Sequence, residues 1–199
     1  MDFKQEVRRR LGVSRYLKLR RVVYRLYSIA YGGNLVGLGR LFNSDKATFH
    51  SYVKHYQSHF DSIRNLRLNI LEIGIGGYQD SLNGGESLRM WKSFFPRSRI
   101  YGIDIHDKAI HDEPRIKTFK GSQADESFLR DVVSKIGDID IIIDDGSHVN
   151  EHVVKSFSVL FPLLKDGGIY AIEDLQTAYW DESFGGWGGL GIFRRRIQV

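Results

Sequence analysis

The chain has 199 residues, 42% hydrophobic and 27% charged, with a formal net charge of +5 and no cysteine. That is an ordinary globular composition, long enough for one α/β core. It excludes disulfides, thiolate metal sites and a cysteine nucleophile, so any metal must take oxygen or imidazole ligands.

No apolar run approaches the roughly 18 residues that span a bilayer. The basic N-terminus is not followed by an apolar h-region, which predicts a cytoplasmic protein. Residues 1–30 hold nine Lys/Arg against two acids, so the basicity belongs to an N-terminal arm. We divide the chain into a basic helical arm, 1–43, and a main domain, 44–199.

In the arm, Ser14 is the expected cap of a helix running to about Ala30 and ended by Gly32-Gly33. Tyr16, Leu19, Val23, Leu26 and Ala30 recur at helical spacing, and Lys18, Arg21 and Arg25 line another face. Such a basic amphipathic helix suits docking with solvated charges, or peripheral contact with an anionic membrane through residues 14–30.

Five strands are expected next. Asn69–Ile73 is a short apolar run ending at Gly74. Ser87–Phe95 reads as a helix, Arg99–Asp104 as the second strand and Ile116–Lys120 as the third. A helix from Ser127 to Ile136 precedes the most apolar strand, Asp140–Asp144. A helix from Val153 to Leu164 leads to a fifth strand, Gly168–Glu173. Strands alternating with helices predict a doubly wound α/β fold, a mostly parallel sheet covered on both faces. Ligands then sit beyond the carboxyl ends of the strands.

Chemistry-bearing residues fall at those ends. Glu72-Ile73-Gly74-Ile75-Gly76 is a strand entering a glycine-rich turn, where glycine allows positive φ and close approach of a ligand. Asp104 ends the next strand, where an acid can accept hydrogen bonds from both ribose hydroxyls. The segment 121–125, with Gln123 and Asp125, follows the third strand and offers acceptors to an adenine amino group. The turn lacks the third glycine of the dinucleotide fingerprint, and Glu-x-Gly-x-Gly is the form usual in S-adenosylmethionine enzymes. A dinucleotide stays as the alternative. Glu72, Gly74, Gly76, Asp104, Gln123, Asp125 and Asp144 form the expected cofactor side.

Asp144-Asp145-Gly146-Ser147-His148 follows the fourth strand and Glu173-Asp174 the fifth. Neighbouring parallel strands would bring these carboxylates and one imidazole to a common rim. Close carboxylates favour a cation, and an oxygen-rich set suits Mg²⁺. A metal lowers the pKa of an alcohol, and a nearby histidine can take its proton. Each acid alone could equally be a helix cap or turn former.

From these motifs the segment Leu71 to Trp180 resembles the macrolide sugar O-methyltransferases of the mycinamicin and macrocin type, and related bacterial polysaccharide O-methyltransferases. The matching stretches are LEIGIGGY, GGESLRMW, IYGIDI, DDGSH and AIEDLQTAYW, with SDKATFHSYVKHY ahead of them. The resemblance implies a class I methyltransferase fold, Mg²⁺ dependence and transfer to a hydroxyl of a small-molecule or polysaccharide sugar. It puts the metal ligands at Asp145, Glu173 and Asp174, the general base at His148 and the ribose-binding acid at Asp104, with Asp144 in support. Only 19 residues follow Trp180, which predicts a short or missing C-terminal hairpin.

Three other classes compete: a non-catalytic cofactor-binding protein, a nucleic-acid methyltransferase suggested by the basic arm, and an enzyme on lipid-linked glycans. The rim lacks an Asn/Asp-Pro-Pro-Tyr motif, so no nucleic-acid partner is expected. A homo-oligomer is compatible with the sequence.

Overall fold

The computed structural model describes residue 7 and residues 9–48, 51–175 and 191–195. Residues 176–190, including the end of the AIEDLQTAYW stretch and the glycine run after it, lie outside the described residues. The chain forms two compact units, Met1–Asp61 and Ser62–Val199. The division falls later than the 43/44 boundary drawn from charge, because the helices after residue 43 pack with those before it.

The first unit is helical: α1 (Val13–Tyr31), α2 (Leu35–Phe42), the single turn α3 (Asp45–Thr48) and α4 (Val53–Phe60). Helix α1 starts from Gly12 with no side-chain cap, so Ser14 lies inside the first turn rather than capping it. Asn34 caps α2 by accepting the Gly37 N–H at 2.9 Å. Gln57 of α4 ties the junction: its amide donates to the Gly33 carbonyl at 2.8 Å and accepts the Leu35 N–H at 2.9 Å. One side chain thus satisfies backbone groups that helix ends leave orphaned. Tyr24 meets Phe42 edge-on at 4.9 Å between centroids. No residue of α1 is fully buried, and Leu19, Val22, Val23, Leu26 and Ile29 are exposed.

The second unit is a six-stranded sheet in the order β3-β2-β1-β4-β5-β6. The strands are β1 (Asn69–Ile73), β2 (Arg99–Asp104), β3 (Ile116–Lys120), β4 (Ile139–Asp144), β5 (Leu164–Ile172) and β6 (Gly191–Arg194). β1 to β5 pair in parallel and β6 pairs antiparallel with β5. The described residues therefore include one antiparallel strand at the sheet edge, where the sequence predicts a short or missing hairpin.

Helices α6 (Glu126–Ile136) and α7 (Asn150–Leu160) cover one face, burying Leu129, Val132 and Leu160 against Leu71, Ile142 and Tyr170. Helix α5 (Glu86–Phe94) covers the other: a Cβ on Gly102 of β2 would stand 3.3 Å from Leu88 of α5. Ile141, Ile142 and Ile143 of β4 are all fully buried. Burial of such side chains stabilises by roughly 1.5–3 kcal/mol each.

The expected helix to Leu164 is corrected. Pro162 has no N–H to continue α7, so residues Phe161–Leu163 form a 3₁₀ turn and Leu164 already begins β5. The order reverses between β1 and β4, and the candidate residues lie at the carboxyl ends on either side of that switch point.

Candidate active site

The glycine turn after β1 is held from several sides. Gly74 (φ +88°), Gly76 (φ +75°) and Gly77 (φ +76°) all have left-handed backbones. A Cβ on Gly74 would stand 1.9 Å from the Asp145 carbonyl oxygen, so the DDGSH turn rests on this glycine. A Cβ on Gly76 would meet nothing nearer than 3.9 Å, which makes it the open side of the turn. Glu72 is buried and accepts the Ser87 hydroxyl at 2.8 Å.

Asp104 is half-buried at the end of β2. One carboxylate oxygen accepts the Ile75 N–H at 3.0 Å and the other the His106 N–H at 2.8 Å. Each oxygen has further acceptor capacity. The acid is thus oriented beside the open side of the turn.

Gln123 and Asp144 form a buried polar knot below the rim. Asp144, 1% exposed, accepts the Ser156 hydroxyl at 2.6 Å, the Tyr170 hydroxyl at 3.2 Å and the Gln123 amide at 3.1 Å. Desolvation outweighs these bonds and raises its pKa to about 6. Burial, then the Asp144 charge, pushes the Tyr170 phenol well above its ordinary value. The other end of the Gln123 amide accepts the Ser147 N–H at 2.7 Å, so its side chain spans from Asp144 to the DDGSH turn. Asp125 is exposed and caps α6, accepting the Phe128 N–H at 3.1 Å. That bond, with the Ser127 hydroxyl, lowers its pKa.

At the ends of β4 and β5, Asp145, His148 and Asp174 converge, with one ligand atom of each within 4.8 Å of the others. His148 Nε2 lies 3.7 Å from Asp145 Oδ1 and 3.8 Å from Asp174 Oδ2. His148 (φ 56°) and Asp174 (φ 52°) both adopt left-handed backbones. Non-glycine residues persist there only where surroundings enforce it, and functional sites concentrate such strain. Glu173 is next in sequence but 2% exposed and outside this group, its N–H donating to the Asp144 carbonyl at 2.9 Å.

No family model matches the sequence. The 8-demethyl-8-alpha-L-rhamnosyl tetracenomycin-C 2'-O-methyltransferase of Streptomyces olivaceus is 50% identical over 161 residues, covering 79% of this chain and 43% of the relative. The mycinamicin VI 2''-O-methyltransferase of Micromonospora griseorubida is 52% identical over 147 residues, 74% of this chain and 37% of the relative. The solved structure of MycE methyltransferase, in complex with Mg, SAH and mycinamycin VI, matches with a TM-score of 0.74 at 50% identity, over 77% of this chain and 42% of that one.

This chain is homologous to these sugar O-methyltransferases. It spans well under half of their length, between 37% and 43%. The class I methyltransferase fold expected from the motifs is the one it adopts.

In this sugar O-methyltransferase homologue, several neighbours of the candidate residues escape the sequence. Ser156 and Tyr170 hold Asp144 from positions 12 and 26 residues away, and no local spacing signals either contact. His152 Nδ1 lies 2.9 Å from the Ser147 hydroxyl, a second imidazole on the DDGSH turn. The signal for it was present, since His148 and His152 are one helical turn apart across the start of α7.

Proposed function

We propose that this chain carries the catalytic core of a metal-assisted methyltransferase that moves a methyl group from S-adenosylmethionine to a hydroxyl of a small glycoside. The observation that carries the reading is the convergence of Asp145, His148 and Asp174 beside a glycine turn and Asp104, in a chain about half identical to sugar O-methyltransferases.

The residues fit both groups. The Asp145 and Asp174 carboxylates suit a hard cation, and His148 Nε2, 3.7 and 3.8 Å from them, stands where it can act on a hydroxyl beside that cation. Gly76 is the least crowded of the turn glycines, with only Gly84 Cα within 4 Å of a Cβ there, and Asp104 keeps acceptor capacity next to it. When bound, S-adenosylmethionine supplies an electrophilic sulfonium methyl and Mg²⁺ a Lewis acid that makes an alcohol more acidic.

The chain's own residues do the rest. Asp104, oriented by the Ile75 and His106 amides, accepts hydrogen bonds from the ribose hydroxyls. Asp145 and Asp174 would hold the cation, which would make an acceptor hydroxyl beside it more acidic. His148 Nε2 takes the hydroxyl proton. The freed oxygen pair would then bond to the methyl carbon as its bond to sulfur broke, so that the products would be S-adenosylhomocysteine and a methyl ether.

Calorimetry tests the cofactor half. Asp104→Ala removes charge-assisted hydrogen bonds of about 1.5–3 kcal/mol each, so S-adenosylhomocysteine affinity should fall about tenfold or more. Tighter binding of NAD than of S-adenosylhomocysteine by the wild type would overturn the assignment.

A second reading concerns α1. No helix among the described residues is long and apolar enough to cross a membrane. The exposed stripe of Leu19, Val22, Leu26 and Ile29 is flanked by Lys18, Arg21 and Arg25, and the helix contains no acid. Two such helices side by side would repel, whereas an anionic lipid surface complements both features.

A further inference from the structure

The connection from β1 to α5 doubles back on itself. A Cβ on Gly84 would stand 2.4 Å from the Gly76 carbonyl oxygen, and one on Gly77 would stand 2.3 Å from the Asn83 backbone. The Gly85 N–H donates to the Ile75 carbonyl at 2.8 Å. Residues 80–85 therefore lie as a strap directly on the glycine turn.

The strap's carbonyls face buried nitrogen donors. Lys108 Nζ donates to the Asp80 and Asn83 carbonyls at 2.9 and 3.3 Å. Arg89 Nη2 donates to the Gly84 carbonyl at 2.9 Å. His111 Nε2 lies 3.1 Å from the Asn83 carbonyl, which can only accept, so this ring nitrogen donates. Lys108 is 2% exposed, and among the described residues no carboxylate lies within ion-pair distance of it. A buried ammonium is costly, and backbone carbonyls are its whole described compensation.

Lys108 also shares a connection with Asp104. The segment after β2 thus grips the turn twice: at Ile75 through the Asp104 carboxylate, and at the strap through Lys108. Between the two grips sits Tyr78, 89% exposed and at φ 46°, a backbone state an aromatic residue keeps only under constraint.

We propose that Lys108 and Arg89 are positioning residues for the cofactor: they press the strap onto the glycine turn, so that the turn is ordered before S-adenosylmethionine binds. Ligand binding then bears little of the ordering cost. The proposal rests on the cofactor reading above.

The test is calorimetric titration of wild type, Lys108→Met and Arg89→Met with S-adenosylhomocysteine and, separately, with Mg²⁺. Lys108→Met removes the hydrogen bonds to the Asp80 and Asn83 carbonyls, and Arg89→Met removes the one to the Gly84 carbonyl. The expected result is a loss of about tenfold in S-adenosylhomocysteine affinity, faster amide exchange across residues 80–85, cooperative unfolding, and Mg²⁺ affinity near that of wild type. A folded variant that binds S-adenosylhomocysteine as wild type does would overturn the proposal. Equal loss of both ligands, or loss of cooperative unfolding in both variants, would assign the cations to the fold alone and overturn it as well. A wild type that binds no S-adenosylhomocysteine would instead overturn the cofactor reading, which keeps the two failures apart.

Discussion

The carbonyl oxygen of Asp145 lies where a side chain on Gly74 would have to begin: a Cβ there would stand 1.9 Å away. The Asp145 N–H also donates to the Ile73 carbonyl at 2.9 Å. The cofactor turn and the carboxylate cluster are thus in backbone contact across the switch point. Gly74→Ala combines that clash with a left-handed φ, which by itself costs about 1 kcal/mol or more. The variant should lose affinity for S-adenosylhomocysteine and Mg²⁺ together, as two titrations would read. Loss of only one ligand would show that the two sites move independently.

Asp144 gives the fold a pH signature. Its carboxyl is raised from 3.8 to about 6, so the folded state holds its proton more tightly than the unfolded state does. Stability from this group is therefore greatest below about pH 4 and declines as pH rises to about 6. The full span is of the order of 3 kcal/mol. In Asp144→Asn the amide can accept from Gln123 and donate to the Ser156 or Tyr170 hydroxyl. Urea unfolding from pH 4 to 7 should show wild type gaining on Asp144→Asn as pH falls. Parallel curves would contradict the assignment.

Gln123 reads differently in sequence and in structure. Its position after β3 suggests an adenine contact, but both ends of its amide serve the Asp144 carboxylate and the Ser147 N–H. Gln123→Ala should loosen the DDGSH turn and weaken Mg²⁺ more than S-adenosylhomocysteine. Calorimetry giving the reverse order would restore the adenine role.

The α1 reading makes a salt-dependent forecast. Co-sedimentation with phosphatidylserine vesicles should weaken as the Debye length shortens, and weaken again when Lys18, Arg21 and Arg25 become Gln. Binding unchanged in that triple variant would remove lipid as the partner.

Much of this was legible in the sequence. β1, β2 and β3 start and stop where the sequence reading puts them, with Gly74 just after β1, Asp104 at the end of β2 and Gly121 just after β3. The α7–β5 junction was not, since Leu160 to Leu164 is apolar in either state and only Pro162 decides. Asp145, His148 and Asp174 were legible as a group because neighbouring parallel strands align their ends. The buried strap cations were not, because Lys108 and Arg89 contact backbone carbonyls, which leave no mark in a sequence.

The most direct test of the central claim is methyl transfer from S-adenosylmethionine to a small glycoside across a Mg²⁺ titration after chelation, for wild type, Asp145→Ala and His148→Ala. The account predicts that chelator abolishes wild-type turnover and Mg²⁺ restores it. His148→Ala should lose about 10²–10⁴ in rate with metal binding intact, while Asp145→Ala should lose metal binding and turnover together. Full wild-type turnover in excess chelator, or unimpaired turnover by His148→Ala, would contradict it.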